Sequence, residues 1–177
     1  MNKLLVQFFA ATAIVLCAPV FAEALMVGDP APDFSLQASD GKSYGLSDYR
    51  GKQAVVIAWF PKAYTSGCTI ECKSLAQNGQ LIREYDVSYF MASVDPLAVN
   101  IGFAEENEAD FPLLSDPTKE TAQAYHILSF LGYAKRVTFY IDRDGTIMKI
   151  DSDITPASSA EDIARTLGEL GVAAATR

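Results

Sequence analysis

The chain has 177 residues, of which 50% are hydrophobic and 20% are charged. This composition is that of an ordinary globular protein, and the length suits one domain. The formal net charge is −8 and the sequence contains no cluster of basic residues. Both observations argue against nucleic acid as a partner.

The first 22 residues have the pattern of a secretory signal peptide. Lys3 precedes a mostly apolar run over residues 4–16, and small residues follow up to Ala22. This run is short for a membrane-spanning helix, and a basic start, an apolar core and small residues are typical of a cleaved signal. We therefore predict a signal peptide over residues 1–22 and a domain over residues 23–177. The mature protein would be exported to a bacterial periplasm without membrane insertion; an uncleaved anchor is the alternative.

The predicted domain begins with extended segments and a hairpin. Residues 27–34 are rich in proline and should be extended, because a residue before proline avoids the helical region. Residues 34–37 alternate like a strand, and Asp40-Gly41 is a hairpin turn signal. Residues 54–60 are continuously apolar, as expected of a strand that is buried on both faces.

Helices and strands then alternate to the end of the chain. A helix is predicted over about residues 67–85, with Thr65 or Ser66 as its cap. We further expect a strand over 87–94, helices over 98–107 and 119–125, a short strand within 111–117, a hairpin of 137–141 and 146–150, and a last helix over 157–170. This order predicts an α/β fold, in which helices flank a mixed sheet with an N-terminal β-hairpin. It is compatible with a thioredoxin-like architecture.

The segment between the apolar strand and its helix carries a candidate reactive thiol. Pro61, Thr65 and Cys68 stand in the pattern P-x-x-x-T-x-x-C, with Gly67 directly before the cysteine. The first turn of a helix offers unpaired N–H groups and the positive end of the helix dipole, and both favour a thiolate. Proline stiffens the turn, the Thr65 hydroxyl can approach the sulfur, and Gly67 lets the backbone approach a small substrate. These features predict a narrow, donor-rich pocket for a substrate with two bonded oxygens; an inert buried thiol is the alternative.

A positive side chain is expected to complete this pocket. Arg136 directly precedes the predicted strand over residues 137–141 and is the best candidate to stabilise the thiolate and orient the substrate. Lys135 and Arg143 are alternatives, although Arg143 follows the far end of that strand. Glu71, one turn after the cysteine, is expected to line the pocket with Gly67 and to anchor the arginine. Otherwise it is a solvated helix carboxylate.

The chain contains three cysteines, and Cys17 falls within the predicted signal peptide. The other two, Cys68 and Cys72, are four residues apart. A disulfide across so short a loop would stabilise the fold very little. A redox role therefore explains the pair better than a structural one.

Together these motifs resemble those of the peroxiredoxins, which are thiol peroxidases of the thioredoxin superfamily, and most closely the bacterioferritin-comigratory or Q-type branch. The resemblance covers about residues 27–170. Its specific element is the P-x-x-x-T-x-x-C pattern. Weaker support comes from segments 28–34, 40–42, 46–48, 51–52, 111–116 and 136–142.

This resemblance implies reduction of hydrogen peroxide and organic hydroperoxides, without a metal, haem or flavin cofactor. Cys68 would be the peroxidatic cysteine, which becomes a sulfenic acid. Arg136 would be the active-site arginine, and Pro61 and Thr65 would belong to the pocket. A thiol protein, such as an exported thioredoxin-like protein, would reduce the oxidised enzyme.

The second cysteine is where the chain departs from that branch, whose local resolving cysteine usually follows the first by five residues. Cβ atoms at i and i+4 of a helix are about 5–6 Å apart, whereas a disulfide needs about 3.8 Å. We predict that Cys72 resolves the sulfenic acid of Cys68 after the first turn of the helix unwinds. The alternative is a one-cysteine mechanism with an external thiol.

The main alternative function is an exported thioredoxin-like thiol–disulfide oxidoreductase. That chemistry uses a C-x-x-C pair, but the position three residues after Cys68 is Glu71. A catalytically silent binding domain on the same fold is a third possibility. The presence of Thr65, Cys68 and Arg136 together argues against it.

Overall fold

The computed structural model describes residues 24–176, so the predicted signal peptide lies outside the described residues. The strands are β1 (Ser35–Ala38), β2 (Ser43–Gly45), β3 (Ala54–Trp59), β4 (Val87–Ser93), β5 (Leu113–Ser115), β6 (Val137–Ile141) and β7 (Ile147–Asp151). The α-helices are α1 (Ser66–Ile82), α2 (Leu97–Glu106), α3 (Glu120–Ala124) and α4 (Ser159–Glu169). Within this range, none of the helices has the length and apolar character that crossing a bilayer requires.

The seven strands form one mixed sheet in the order β2-β1-β5-β4-β3-β6-β7. Strands β3, β4 and β5 are parallel neighbours, whereas β6 pairs antiparallel with β3 and β1 pairs antiparallel with β5. The predicted N-terminal hairpin is present as β1 and β2, and it extends one edge of the sheet. The predicted α/β architecture is therefore confirmed.

Strand β3 runs through the centre of the sheet and is buried along its whole length. Successive side chains of a strand point to opposite faces, so its continuous apolar run feeds two hydrophobic layers. One layer contains Val55, Ile57 and Trp59 with residues of α3, and the other contains Val56, Ala58 and Phe60 with residues of α1, α2 and α4. The helices thus cover both faces of the sheet.

Two helix ends differ from the sequence expectation. Helix α1 ends at Ile82 rather than near residue 85, because the backbone of residues 84–86 pairs with the C-terminal segment. The Asp86 N–H donates to the Ala173 carbonyl at 2.8 Å, and the Ala175 N–H donates to the Glu84 carbonyl at 2.9 Å. Helix α4 begins later than expected, because residues 156–158 form a separate 3-10 turn.

The strand registers bring three chain segments together at the end of the sheet where the parallel strands β3 and β4 have their carboxyl ends. Trp59, the last residue of β3, pairs with Ala92 near the end of β4 and with Val137 at the start of β6. The loop after β3, the loop after β4 and the residue before β6 therefore meet at this end of the strands. That residue is Arg136.

Candidate active site

The loop between β3 and α1 is held by two neighbouring elements. The Ala63 N–H donates to Asp95 Oδ2 at 2.9 Å, which ties the loop to the end of β4. Tyr64 has a left-handed backbone with φ of 64°, and its ring meets that of Phe103 in α2 edge-on, with centroids 5.3 Å apart. The left-handed conformation costs about 1–2 kcal/mol, and an aromatic pair contributes about 0.5–1.5 kcal/mol. The ring contact therefore offsets much of the strain in this loop.

Helix α1 begins directly after this loop, with Thr65 as its N-terminal cap residue. The position agrees with the prediction, but the Thr65 side chain makes no capping bond to the helix. Its hydroxyl instead donates to the Lys62 carbonyl at 3.0 Å. The first N–H groups of α1 are therefore left without a cap from Thr65, and they keep their attraction for an anion.

Cys68 lies in this first turn and is fully buried, with 0% of its surface exposed. The guanidinium of Arg136 reaches it, and Nη2 donates to Cys68 Sγ at 3.0 Å. A Cβ added to Gly67 would lie 3.3 Å from the same Nη2. The missing side chain at Gly67 therefore leaves room for the arginine, and the expected approach of a substrate at Gly67 stays a prediction. The predicted meeting of Arg136 and Cys68 is present.

Glu71 is the second partner of this arginine. Residues three apart lie on one face of a helix, so Glu71 and Cys68 point towards the same guanidinium. The Glu71 carboxylate is fully buried and accepts a hydrogen bond from Nη1 of Arg136 through Oε2. Its Oε1 has no hydrogen-bond partner among residues 24–176. The structure therefore shows the expected anchoring contact and not the solvated carboxylate.

The two alternative cations are not part of this cluster. Arg143 lies beyond the far end of β6, where its Nη2 donates to the Lys52 carbonyl at 3.2 Å. Lys135 is exposed, and its backbone N–H pairs with the Ile127 carbonyl at 2.8 Å. Arg136 is thus the cation that the strand register places beside the thiol.

Cys72 occupies the next turn of α1 and is equally buried. It belongs to the hydrophobic layer beneath the helix. Burial, with a smaller contribution from the nearby Cys68, raises the pKa of the Cys72 thiol from 9.0 to about 12. Both cysteines are free, and α1 continues without interruption through both of them. In this state Cys72 is a protonated thiol and a poor nucleophile at neutral pH.

Sequence reasoning missed Asp95 and Tyr64 as parts of the site. Besides the bond from Ala63, Asp95 Oδ2 accepts a hydrogen bond from the Ser93 hydroxyl at 3.0 Å. The available signal was topological, since residues that follow neighbouring parallel strands meet at the carboxyl edge of a sheet. Pro61 directly follows Phe60 after the end of β3, and its role in the pocket stays a prediction.

No group of three or more His, Cys, Asp or Glu side chains is arranged to hold a metal ion in the described part of the chain. Cys68 lies in the first helical turn and accepts a hydrogen bond from the Arg136 guanidinium. The guanidinium and the start of the helix suit an anionic sulfur and a small oxygen-containing substrate.

Known proteins are similar to this chain in sequence and in fold. Residues 27–150 match the AhpC/TSA family. The chain is 34% identical over 136 residues to peroxiredoxin Bcp of Escherichia coli, covering 73% of this chain and 86% of that protein. It is 35% identical over 126 residues to alkyl hydroperoxide reductase E of Mycobacterium bovis, covering 70% and 82%.

Solved structures agree with these sequence relatives. The crystal structure of peroxidoxin BcpB from Mycobacterium tuberculosis matches with a TM-score of 0.73 at 30% identity, covering 81% of this chain and 96% of that chain. The thioredoxin-like fold is therefore confirmed. The chain belongs to the AhpC/TSA family and is a peroxiredoxin, a thiol-dependent peroxidase.

Proposed function

We propose that Cys68 is the peroxidatic cysteine and that it reduces hydrogen peroxide and organic hydroperoxides. The observation that carries this proposal is the 3.0 Å contact between Arg136 Nη2 and Cys68 Sγ in the first turn of α1. A guanidinium and a helix N-terminus both stabilise negative charge. They favour the thiolate, which is the nucleophilic form of cysteine.

In the proposed reaction the Cys68 thiolate attacks one oxygen of the peroxide. The S–O bond forms as the O–O bond breaks, so the sulfur loses two electrons and becomes a sulfenic acid. The leaving oxygen takes up a proton and departs as water or an alcohol. Arg136 has five N–H donors, and the donors not engaged by Glu71 and Cys68 are available to the oxygen on which charge develops.

The other residues of the site support this step without taking part in bond changes. Glu71 acts through Arg136, because its buried carboxylate fixes the position of the guanidinium. Pro61 stiffens the loop, and Thr65 and Gly67 shape the first turn. Cys68 is buried, but Thr65 is exposed and the Arg136 side chain is 20% exposed. We propose that the peroxide reaches the sulfur between these two side chains.

Cys72 is proposed to resolve the sulfenic acid after the first turns of α1 unwind. In the intact helix its geometry is unfavourable for a disulfide, and its pKa of about 12 keeps the thiol protonated. Unwinding removes both obstacles, since it frees the spacing and exposes the sulfur to water. The Cys72 thiolate then attacks the sulfenic sulfur, an S–S bond forms, and hydroxide leaves as water after protonation. A one-cysteine mechanism with an external thiol is the alternative.

The setting proposed for this chemistry is the bacterial periplasm, with cleavage after Ala22. The support is the sequence pattern of residues 1–22 alone. The reductant would then be an exported thioredoxin-like thiol protein. N-terminal sequencing of the protein from a periplasmic fraction tests the cleavage site, and an intact N-terminus at Met1 would contradict it.

An exported thiol–disulfide oxidoreductase is the less favoured function. Such a protein needs a second thiol three residues after the first. That position is Glu71, and its carboxylate is already paired with Arg136.

Peroxide consumption with matched cysteine variants tests the proposal. We expect Cys68→Ser to lose consumption completely, whatever thiol donor is supplied. Cys72→Ser should still react once and should accumulate sulfenic acid on Cys68, detected by a sulfenic-acid probe and mass spectrometry. Peroxide consumption by Cys68→Ser at the wild-type rate, or insulin reduction faster than peroxide consumption in the wild type, would overturn the proposed function. An identical oxidised product in Cys72→Ser and wild type would overturn the resolving role alone.

A further inference from the structure

A tight turn beside the active-site loop exposes large apolar side chains to solvent. This apolar tip comprises residues 129–133. Phe130 is 97% exposed and Leu131 is 66% exposed, and the ring of Tyr133 is partly exposed as well. Single exposed apolar residues are common, but adjacent ones at the end of a projecting turn form a contact surface.

The exposure of the apolar tip is fixed by the fold. The Ser129 N–H donates to the Tyr133 carbonyl at 2.8 Å, and the Gly132 N–H donates to the Ser129 carbonyl at 2.9 Å. Gly132 has a φ of 79°, which glycine adopts without strain. Leu128 and Ala134 form a β-bridge at the base of the turn. The turn is therefore closed by backbone bonds that hold Phe130 and Leu131 outwards.

Three lysines surround the apolar tip. Lys62 Nζ lies 5.5 Å from the centre of the Tyr133 ring. Lys119 Nζ lies 2.9 Å from the position that a Cβ on Gly132 would occupy. Lys135 follows Tyr133 by two residues and is exposed. In a chain of net charge −8, these lysines form a local positive region.

The charges of these lysines are not neutralised by ion pairs. The ion pairs found between residues 24 and 176 involve Lys42, Arg83, Arg136, Lys149 and Arg165. Glu120 follows Lys119 in the sequence, but the two side chains are not paired in these contacts. The lysines around the apolar tip are therefore available to an anionic partner.

Exposed apolar side chains beside three lysines that form no ion pair with any described residue suit the surface of an anionic membrane. Aromatic and leucine side chains insert among the headgroups and acyl chains, while lysines contact the anionic headgroups. We propose that the apolar tip and Lys62, Lys119 and Lys135 dock the protein reversibly onto an anionic lipid surface. This is a peripheral contact that requires no spanning segment, and it does not depend on the proposed peroxidase chemistry.

Other occupants fit these features less well. A two-fold contact between copies of the chain would place the same patch on both sides of the interface, and lysine would then face lysine at an electrostatic cost. A stable protein complex buries about 1,200–2,000 Å², far more than the three exposed apolar side chains of this tip offer. A lipid surface adapts to a convex tip and supplies the opposite charge.

Docking in this way would orient the molecule. Lys62 lies in the loop between Pro61 and Cys68, so the apolar tip and the active-site loop would face the bilayer together. The net negative charge of the chain would disfavour contact through most other faces.

Sedimentation with vesicles tests the proposal on the full domain. Wild-type protein is mixed with vesicles of phosphatidylcholine alone or of phosphatidylcholine with about 30% phosphatidylglycerol, which gives the vesicle a negative surface. We expect binding to the anionic vesicles only, and weaker binding at high salt because the lysine contribution is screened. The triple variant Lys62→Gln, Lys119→Gln and Lys135→Gln should bind about a hundredfold more weakly.

A matched triple variant controls for the change in net charge. Lys42→Gln, Lys52→Gln and Lys73→Gln removes the same number of exposed charges elsewhere and should leave binding within about twofold of wild type. Phe130→Ser with Leu131→Ser should weaken binding at least about tenfold without unfolding the protein, since both side chains are already solvated. Circular dichroism checks the fold of each variant.

Three outcomes would overturn the proposal. One is the absence of binding to anionic vesicles, and another is an equal loss of binding in the two triple variants. The third is a dimer, detected by ultracentrifugation, that depends on Phe130 and Leu131 while no lipid is bound.

Discussion

Two turns of one helix hold the two cysteines of the described chain, and the turns differ in what surrounds the sulfur. Cys68 and Cys72 are both fully buried in α1. Cys68 receives a hydrogen bond from Arg136, whereas Cys72 lies in the hydrophobic layer with its pKa raised to about 12. Two equally buried thiols of one helix therefore have different electrostatic surroundings. The difference lies in a cation that the register between β3 and β6 places beside one sulfur and away from the other.

Removing the Arg136 cation should have the largest effect on the difference between the two cysteines. Arg136→Met keeps a long side chain but removes every donor to Cys68, so the two turns become more alike. We expect the second-order rate constant for peroxide reduction to fall about 10²–10³-fold, as when a donor to a developing negative charge is lost. Stopped-flow fluorescence measures this rate.

Arg143→Met provides the matched control, because Arg143 lies at the far end of β6. Its rate should stay within about twofold of wild type. Equal rate losses in the two variants would show that Arg136 has no special relation to Cys68.

Unfolding at alkaline pH tests whether burial in the second turn suppresses the ionisation of Cys72. Folded Cys72 keeps its proton until about pH 12, whereas the thiol of the unfolded chain releases it near pH 9.0. Between these values the unfolded state binds fewer protons than the folded state, so the free energy of unfolding falls as pH rises. The contribution from Cys72 is about 2–3 kcal/mol between pH 9 and pH 11.

Urea unfolding of wild type and Cys72→Ala across this pH range isolates the contribution of the thiol. Tyr89 and Tyr140, whose pKa values burial also raises to about 12, are common to both proteins. The variant should therefore show a shallower decline in stability. Parallel declines in the two proteins would mean that Cys72 ionises as easily in the folded state as in the unfolded one.

Glu71 links the first turn to its cation and should have an intermediate effect. Glu71→Gln keeps the size of the side chain and an acceptor for Nη1, but it removes the charge that holds Arg136. A hydrogen bond to a charged group contributes about 1.5–3 kcal/mol, so we expect peroxide reduction to slow about tenfold. The same stopped-flow measurement with Glu169→Gln, an exposed position on α4, is the control.

A double variant tests whether Glu71 acts through Arg136 rather than through the stability of the fold. The double variant Glu71→Gln with Arg136→Met should be no slower than Arg136→Met alone. A further tenfold loss in the double variant would contradict a role that acts through Arg136.

Gly67 should have the smallest effect. The methyl group of Gly67→Ala would lie 3.3 Å from Arg136 Nη2, so the guanidinium must shift by a few tenths of an ångström. We expect peroxide reduction to slow about two- to fivefold, while alanine in a helix adds about 0.5–1 kcal/mol of stability. Thermal unfolding and stopped-flow kinetics together check this opposite response, and Ser66→Ala serves as the neighbouring control. A faster rate would contradict the close approach of the arginine.

The sequence indicated those features of the fold that depend on local pattern. The continuous apolar run of β3 predicted a strand buried on both faces, and the turn signal at Asp40-Gly41 predicted the first hairpin. The end of α1 was predicted too late, because the bonds that stop it come from residues 173–175 at the other end of the chain. No local pattern contains that information.

The same limit applies to the site. Pro61, Thr65 and Cys68 follow from one short motif, and Arg136 follows from its position before a strand. The contact of Asp95 with the active-site loop could not be predicted, because it depends on the pairing of β4 with β3. The lysines around the apolar tip are far apart in the sequence, at positions 62, 119 and 135, so composition and charge runs gave no sign of their proximity.

The pairing of residues 84–86 with residues 173–175 makes the two ends of α1 unequal. Its C-terminal end is tied to the C-terminal segment by backbone bonds, while its N-terminal turn is held by side-chain contacts from Arg136 to Cys68 and Glu71. In the proposed reaction, oxidation of Cys68 would alter the side-chain contacts of the N-terminal turn and leave the backbone bonds at the other end unchanged. The proposed unwinding would therefore start at the N-terminal end of α1, while backbone bonds keep its C-terminal end in place and the sheet keeps its two hydrophobic layers.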